Sequence, residues 1–273
     1  FKLIKIIILK KLRKKVSKYL STNRLFLSFV IFSLIETILV RNYTLGNTFA
    51  FKPFICDLAL LIIIGSFGYF VKPKKQFNYY FIWVLIVTLM CVVNSIYYVF
   101  YTSFASFSLL AELGLVGEVG DSLTEKFRLI DFVYLFSPLL YVAMHTQLKK
   151  GSYYHFVTKV ENGKKMFVST LLVGIAALSI TLVNITGTDA SRLVKQWDRQ
   201  YIVQRFGIIL YQGNDLVQSM MPKINSMFGY DEAAKNFKDY YSKKFAEPSS
   251  TNKYTGVLEG MNVIFIHMES IQI

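Results

Sequence analysis

Charged side chains are scarce in this sequence. Only 18% of its 273 residues are Asp, Glu, Lys or Arg, whereas soluble domains average about 25%. Hydrophobic residues make up 53% of the chain. This composition excludes a disordered chain and argues against a protein that is a monomer in water.

Cysteine is also rare, and a nucleotide-binding loop is missing. Cys56 and Cys91 both lie inside long apolar runs, and two such thiols build neither a disulfide framework nor a zinc site. The run GLVGEVG at 114–120 contains three glycines. No Lys-Ser or Lys-Thr follows it and no strand is evident before it, so flexible turns are the better interpretation.

Acidic residues number 17 against 31 basic ones, which gives a net charge of +14. Such a charge alone would suggest nucleic acid or an anionic surface as a partner. However, the excess is concentrated in three short blocks, at 1–24, 72–75 and 149–165, and each block adjoins an apolar run. This arrangement is typical of membrane topology and argues against a nucleic-acid partner.

Five apolar runs are long enough to cross a bilayer as helices, which requires about 20 residues each. They lie at 25–40, 54–71, 79–101, 129–148 and 166–185. With five spans, all three basic blocks lie on the cytoplasmic side only if the N-terminus is inside. The residues after the fifth span are then extracellular.

This topology divides the chain into four parts. Residues 1–24 form a basic cytoplasmic segment, which either lies on the inner membrane surface or only fixes the orientation. Residues 25–186 form the five-helix transmembrane domain. Residues 187–260 are an extracellular linker with helical patterns at 190–221 and 231–245. Residues 261–273 begin an α/β domain that is truncated here.

The segment 104–128 between the third and fourth spans is too apolar for an ordinary loop. Phe104, Phe107, Leu110 and Leu113 recur at three-residue spacing. This spacing predicts a short helix that lies in the membrane interface and helps to dock the outer domain or a lipid.

Five polar residues interrupt the spans. They are Glu36, Asp57, Asn94, Asp131 and His145. Ionisable groups within a membrane are costly and need an explanation. The three carboxylates either pair with Arg41, Lys52 or Arg128, or they line a pathway for a substrate or proton. Five helices without an evident repeat fit a transporter poorly.

The last residues change in character. Asn262 to His267 is apolar on both faces, which predicts a buried, parallel strand. Glu269 follows at the carboxyl end of this strand, where α/β sheets gather ligands and metals. The alternative is that Glu269, or Ser270, only caps a following helix.

Three stretches resemble a known family. They are KFRLIDFVYLFSPLLY (126–141), WDRQYIVQRFGIILYQGNDLV (197–217) and YTGVLEGMNVIFIHMESIQ (254–272). Together with the five spans, they resemble the N-terminal part of lipoteichoic acid synthases, which are membrane phosphoglycerol transferases of the alkaline phosphatase/sulfatase superfamily. The resemblance implies a multi-pass protein of the cell membrane with an extracellular catalytic domain.

The resemblance also implies a reaction. Glycerol phosphate is transferred from phosphatidylglycerol to a glycolipid-anchored polyglycerolphosphate chain, by a polymerase or a primase. By motif, Glu269 is a ligand of one Mn²⁺ or Mg²⁺ ion, and His267 is not a ligand. The metal activates a threonine nucleophile that lies downstream, so no catalytic nucleophile is expected in these residues and the fragment alone is expected to be inactive. Membrane lipids are the implied partners, together with cell-wall synthesis proteins.

Two features leave alternatives open. The stretch SMMPKINSMFGYDEAA (219–234) has no clear Ala-x-Ala site, so release of the outer domain by signal peptidase is not indicated. A phosphoethanolamine transferase would share the five spans, but its strand is followed by Gly-Glu-x-x-Arg, whereas His-Met-Glu-Ser-Ile stands here. The third possibility is a non-catalytic membrane sensor or anchor.

Overall fold

The structure is a computed structural model of the chain. It describes residues 23–46, 49–109, 128–150, 163–228, 230–246 and 252–262, together with 264 and 266. These residues form α-helices and 3₁₀ turns and include no strand. The helices are α1 (Arg24–Leu45), α2 (Phe51–Ser66), α3 (Pro73–Tyr101), α4 (Phe136–Lys150), α5 (Gly163–Leu182), α6 (Gly187–Lys195), α7 (Arg199–Phe206), α8 (Ile208–Phe228) and α9 (Tyr230–Ala246).

The five predicted spans are confirmed as helices that are long and apolar enough to cross a membrane. A 3₁₀ turn, Phe67–Phe70, extends α2, and another, Leu129–Leu135, leads into α4. The first span continues to Leu45, beyond the predicted end at 40, and Gly46 ends it in a left-handed conformation with φ of 65°. The third begins earlier than predicted because Pro73 occupies the first helical turn, where its missing N–H is not needed.

Helix α1 lies at the centre of the bundle. It packs against α2, α3 and α4, and α2 packs against α5 on the other side. The close approach of α2 and α5 depends on Gly174, because a Cβ atom there would lie 2.7 Å from Ile63 and 3.2 Å from the Ala59 carbonyl oxygen. The opposite faces of the helices expose apolar side chains such as Leu89 and Ile180, as expected of a surface in lipid.

The predicted helical stretch at 190–221 divides into three helices. Thr186 and Asp189 form a capping box that begins α6. The Asp198 carboxylate accepts a hydrogen bond from the Tyr201 N–H and begins α7. Gly207 separates α7 from α8. The helix predicted at 231–245 is confirmed as α9.

The chain forms two compact units, and the boundary between them in the sequence lies within α8. The first ends at Met220 and contains α1–α7, and the second begins at Met221 and contains α9 and a series of turns at 253–260. Of the predicted strand at 262–267, only residues 262, 264 and 266 are described, and none of them is in a strand. The strand therefore stays a prediction.

Candidate functional site

A buried ion pair connects the bundle to the start of α8. The wholly buried Asp57 carboxylate of α2 lies 3.1 Å from the Arg41 guanidinium of α1. Its Oδ1 atom also accepts a hydrogen bond from the Ile209 N–H at 3.1 Å. Ile209 belongs to the first turn of α8, where unpaired N–H groups and the helix dipole favour a negative charge. One carboxylate thereby joins three helices.

Gly207 makes room for this carboxylate. Its φ of 87° and ψ of 168° belong to a region that only glycine occupies readily. A Cβ atom at this position would lie 2.3 Å from Oδ1 of Asp57. Both the backbone and the space therefore require glycine at the junction of α7 and α8.

A second set of polar contacts holds α8 against the end of α3. The buried Asn94 side chain of α3 accepts hydrogen bonds from the Ala105 N–H at 3.0 Å and from the Gln212 amide at 3.2 Å. Gln212 also donates to the Ala105 carbonyl oxygen at 3.0 Å, as does the Tyr211 hydroxyl at 2.9 Å. Burial raises the pKa of Tyr211, so this hydroxyl stays a donor. The segment after α3 is thus clamped between α3 and α8.

Asp215 extends the clamp by one turn of α8. Its carboxylate, 1% exposed, accepts hydrogen bonds from the Ser106 hydroxyl at 2.7 Å and the Phe107 N–H at 2.5 Å. Arg199 of α7 adds a bond to the Phe104 carbonyl oxygen at 3.1 Å. We call residues 104–107 with Asn94, Tyr211, Gln212 and Asp215 the α8 clamp.

Phe104 is the apolar centre of the α8 clamp. It is fully buried, with its ring 5.3 Å from that of Tyr98 and 6.0 Å from that of Tyr211. The segment is extended at 104–106 and turns at 107–109, and Leu110 and Leu113 lie outside the described residues. The sequence predicted that Phe104 lies on an interfacial helix. Instead, it packs inside the protein, because the aromatic residues of α3 and α8 offer a drier site than the membrane interface.

The three carboxylates predicted within the spans have two different environments. Asp57 pairs with Arg41, as described, and Asp131 pairs with Arg128 at 3.0 Å and accepts a bond from the Ser95 hydroxyl at 2.6 Å. Ion pairing is thereby confirmed for two of the three carboxylates. Glu36 instead accepts a hydrogen bond from the Thr88 hydroxyl at 2.7 Å. Lys52 places its ammonium group 5.0 Å from the centre of the Phe206 ring.

Asp189 stabilises the turn that leads from α5 to α7. Burial opposes its ionisation, but hydrogen bonds from Thr186 and Tyr201, with the charge of Arg205, lower its pKa to about 2. The Tyr201 hydroxyl donates to Asp189 at 2.6 Å, and the Arg192 guanidinium lies 3.9 Å from the centre of the Tyr201 ring. This cluster joins α6 to α7.

The predicted metal ligand cannot be placed. Glu269 lies outside the described residues, as do His267 and Ser270. Within the part of the chain that the structure describes, no group of three or more His, Cys, Asp or Glu residues could hold a metal ion. The role of Glu269 therefore stays a prediction.

Several residues of this site were missed by sequence reasoning. Gly207 and Asp215 carry a signal, since a glycine that interrupts a helical pattern and an acid on an otherwise apolar helix face both indicate a specific contact. Gln212, Ser106 and Ser95 carry none, because such residues are common on any helix or turn.

The residues of this site lie within a stretch of the chain that matches known proteins. Residues 8–228 match the family model described as the lipoteichoic acid synthase N-terminal domain. The lipoteichoic acid synthase of Staphylococcus saprophyticus is 28% identical over 220 residues, covering 78% of this chain and 32% of that protein. The lipoteichoic acid synthase-like YvgJ of Bacillus subtilis is 25% identical over 260 residues, covering 92% of this chain and 40% of that protein.

The lipoteichoic acid synthase of Staphylococcus aureus is 27% identical over 221 residues, covering 78% of this chain and 32% of that protein. No solved structure matches the chain. The chain thus spans between 32% and 40% of the length of these relatives. Since the family model covers most of the chain, including the α8 clamp and the Arg41–Asp57 pair, the chain belongs to the lipoteichoic acid synthase family and carries its N-terminal membrane domain.

Proposed function

We propose that this chain is the membrane domain of a glycerophosphotransferase. The whole protein takes glycerol phosphate from phosphatidylglycerol and transfers it to a glycolipid-anchored polyglycerolphosphate chain, as polymerase or primase. The N-terminus is cytoplasmic, and α6–α9 and the following domain are extracellular. Family membership and the alternation of basic blocks between the five spans support this proposal.

In this proposal the membrane domain positions the start of the catalytic domain. The observation that carries this role is the fixation of α8 by buried polar contacts, from Asp57 at its first turn and from Asn94 and Ser106 further along. Buried hydrogen bonds to charged groups each contribute about 1.5–3 kcal/mol. These contacts fix the part of α8 that belongs to the first compact unit, which ends at Met220.

The catalytic chemistry is proposed to lie beyond the described residues. Glu269 provides one carboxylate ligand to a Mn²⁺ or Mg²⁺ ion, for which oxygen ligands are well suited. The bound metal supplies an activated nucleophile and charge stabilisation on the phosphoryl group. In this proposal the nucleophile and the remaining ligands belong to other parts of the whole protein, so we expect no transfer by residues 1–273 in isolation.

The test uses the full-length protein reconstituted in vesicles that contain phosphatidylglycerol. Transfer of glycerol phosphate breaks the bond between the phosphate and the lipid, so diacylglycerol is released and can be measured. We expect release that depends on Mn²⁺ or Mg²⁺ and that is lost in Glu269→Ala. Glu259→Ala, an exposed carboxylate ten residues earlier, is the matched control and retains activity.

Unchanged release of diacylglycerol by Glu269→Ala would show that the assignment of this residue is wrong. Release of ethanolamine phosphate from phosphatidylethanolamine, with none from phosphatidylglycerol, would identify the phosphoethanolamine alternative. If the full-length protein consumes neither lipid, the membrane domain serves a non-catalytic sensor or anchor.

A further inference from the structure

Glu36 is a buried carboxylate in the middle of α1, and none of the described residues forms an ion pair with it. Its side chain is 1% exposed. Oε1 accepts the Thr88 hydroxyl of α3, whereas Oε2 has no hydrogen-bond partner among the described residues. Arg41, the basic residue of the same helix, is held by Asp57. An uncompensated charge at this depth is costly, so the carboxylate requires a partner that the described residues do not supply.

Hydroxyl groups of α3 and α4 lie beside this carboxylate, and a third belongs to the preceding turn of α1. Ser33 lies one turn earlier on the same face of α1, is fully buried, and also has no partner among the described residues. Ser137 of α4 faces the carboxyl, and its hydroxyl reaches the Phe32 carbonyl oxygen at 3.5 Å, at the limit of a hydrogen bond. With Thr88, these residues form what we call the Glu36 pocket.

The hydroxyls of Ser33 and Thr88 are oriented differently from several others in the spans. Serine and threonine hydroxyls in a helix commonly donate to a carbonyl oxygen one turn earlier. Thr44 donates to Val40 at 2.6 Å, and Ser66 and Thr181 do the same in their helices. Ser33 makes no such bond and Thr88 donates to Glu36 instead. Their oxygen atoms are therefore available to a ligand in the Glu36 pocket.

The charge and the atom types narrow the choice of ligand. Oxygen-only ligands favour a hard cation over a transition metal, and a single carboxylate in a hydrophobic setting is neutralised by one positive charge. A proton on Oε2 would donate a hydrogen bond of about 2.5–3.0 Å, and Oε2 makes no hydrogen bond with the described residues. We propose that the carboxylate of Glu36 and the hydroxyls of Ser33, Thr88 and Ser137 bind a sodium ion between α1, α3 and α4.

Thermal unfolding of the full-length protein in lipid nanodiscs tests this site. Tm is measured in NaCl, KCl and choline chloride at equal ionic strength. Sodium binds only the folded protein, so Tm rises with NaCl concentration and approaches a logarithmic dependence. Glu36→Gln abolishes the difference between NaCl and choline chloride. Thr88→Val loses one oxygen ligand and raises the half-saturating sodium concentration about tenfold or more.

Thr44→Val is the matched control, because it removes a hydroxyl from α1 that donates to its own helix. It retains the sodium response of the unmodified protein. An equal sodium response in Glu36→Gln, or the absence of any response in the unmodified protein, overturns the proposal. These outcomes do not depend on transferase activity, so they are independent of the proposed function.

A second readout does not require that a variant folds. A hydrophobic carbodiimide modifies carboxyl groups in membranes, and mass spectrometry locates the modified residue. Sodium, but not choline, protects Glu36 in the unmodified protein if the ion occupies the pocket. Modification of Glu36 that is unaffected by sodium shows that the carboxyl holds only a proton, and the sodium site is then excluded.

Discussion

Replacement of Gly207 with alanine tests whether the junction of α7 and α8 depends on close contact with Asp57. The backbone conformation alone costs a residue other than glycine about 1–3 kcal/mol. The new Cβ atom would also lie 2.3 Å from Oδ1 and 2.6 Å from Cγ of Asp57, so the carboxylate has to move. Its bond to Ile209 or its pairing with Arg41 is then lost, and breaking a buried ion pair costs about 3–5 kcal/mol. Together we expect a loss of at least about 4 kcal/mol.

The two cysteines provide a native assay for this prediction. Cys56 and Cys91 are both fully buried, and Cys56 precedes Asp57 directly. Their reaction with a fluorescent maleimide during heating reports when the bundle opens. At about 2–4 °C per kcal/mol, we expect Gly207→Ala to lower Tm by about 10 °C. Gly213→Ala is the matched control: nothing lies within 4 Å of its Cβ position, and alanine favours the helix by up to about 1 kcal/mol.

The same substitution in an Asp57→Ala background separates the two causes. Without the carboxylate the clash disappears, and only the backbone cost of about 1–3 kcal/mol remains. If Gly207→Ala has the same effect in both backgrounds, the contact with Asp57 does not carry the cost. A change below about 0.5 kcal/mol, typical of surface substitutions, would refute the reasoning altogether.

Two further predictions concern residues on either side of this junction. The pKa of Asp189 is lowered from 3.8 to about 2, so its stabilising contribution is complete above the ordinary pKa and is lost as the pH falls toward 2. Asp189→Asn should therefore flatten the dependence of Tm on pH in this range. An unchanged profile would contradict the assignment. Phe104→Ala empties the centre of the α8 clamp and should lower the free energy of unfolding by about 3–5 kcal/mol. Leu129→Ala, at a side chain that is 90% exposed, should change Tm little. Similar effects of the two substitutions would show that Phe104 does not pack as described.

The spans could be predicted from the sequence because length and apolarity alone determine which segments cross a membrane. The pairing of Asp131 with Arg128 followed from proximity in the sequence, since the two lie one turn apart. Arg41 was one of three basic residues near the predicted helix ends that could pair with a carboxylate, but the sequence did not assign it to Asp57. By contrast, Glu36 is bound by Thr88, and a threonine in an apolar helix gives no sign of the partner that its hydroxyl will meet.

The helices after the bundle were harder to predict. The pattern at 190–221 is helical throughout, and the breaks depend on Asp198 as a cap and on the unusual backbone at Gly207. Phe104 was expected at the membrane interface because its apolar spacing suggested a surface helix. Its actual site exists only once α8 has packed beside α3. The contact joins Phe104 to Tyr211, which are 107 positions apart in the sequence, so no local pattern reveals it.

The contact between Asp57 and Ile209 also has a consequence for biogenesis. The two residues are 152 positions apart. At a synthesis rate of about 5–20 residues per second, α8 follows α2 from the ribosome after roughly 8–30 s. During this interval Asp57 can engage Arg41 but still lacks the last of its donors. The nascent α1–α2 hairpin therefore carries an incompletely satisfied acid in the membrane until the first turn of α8 has formed.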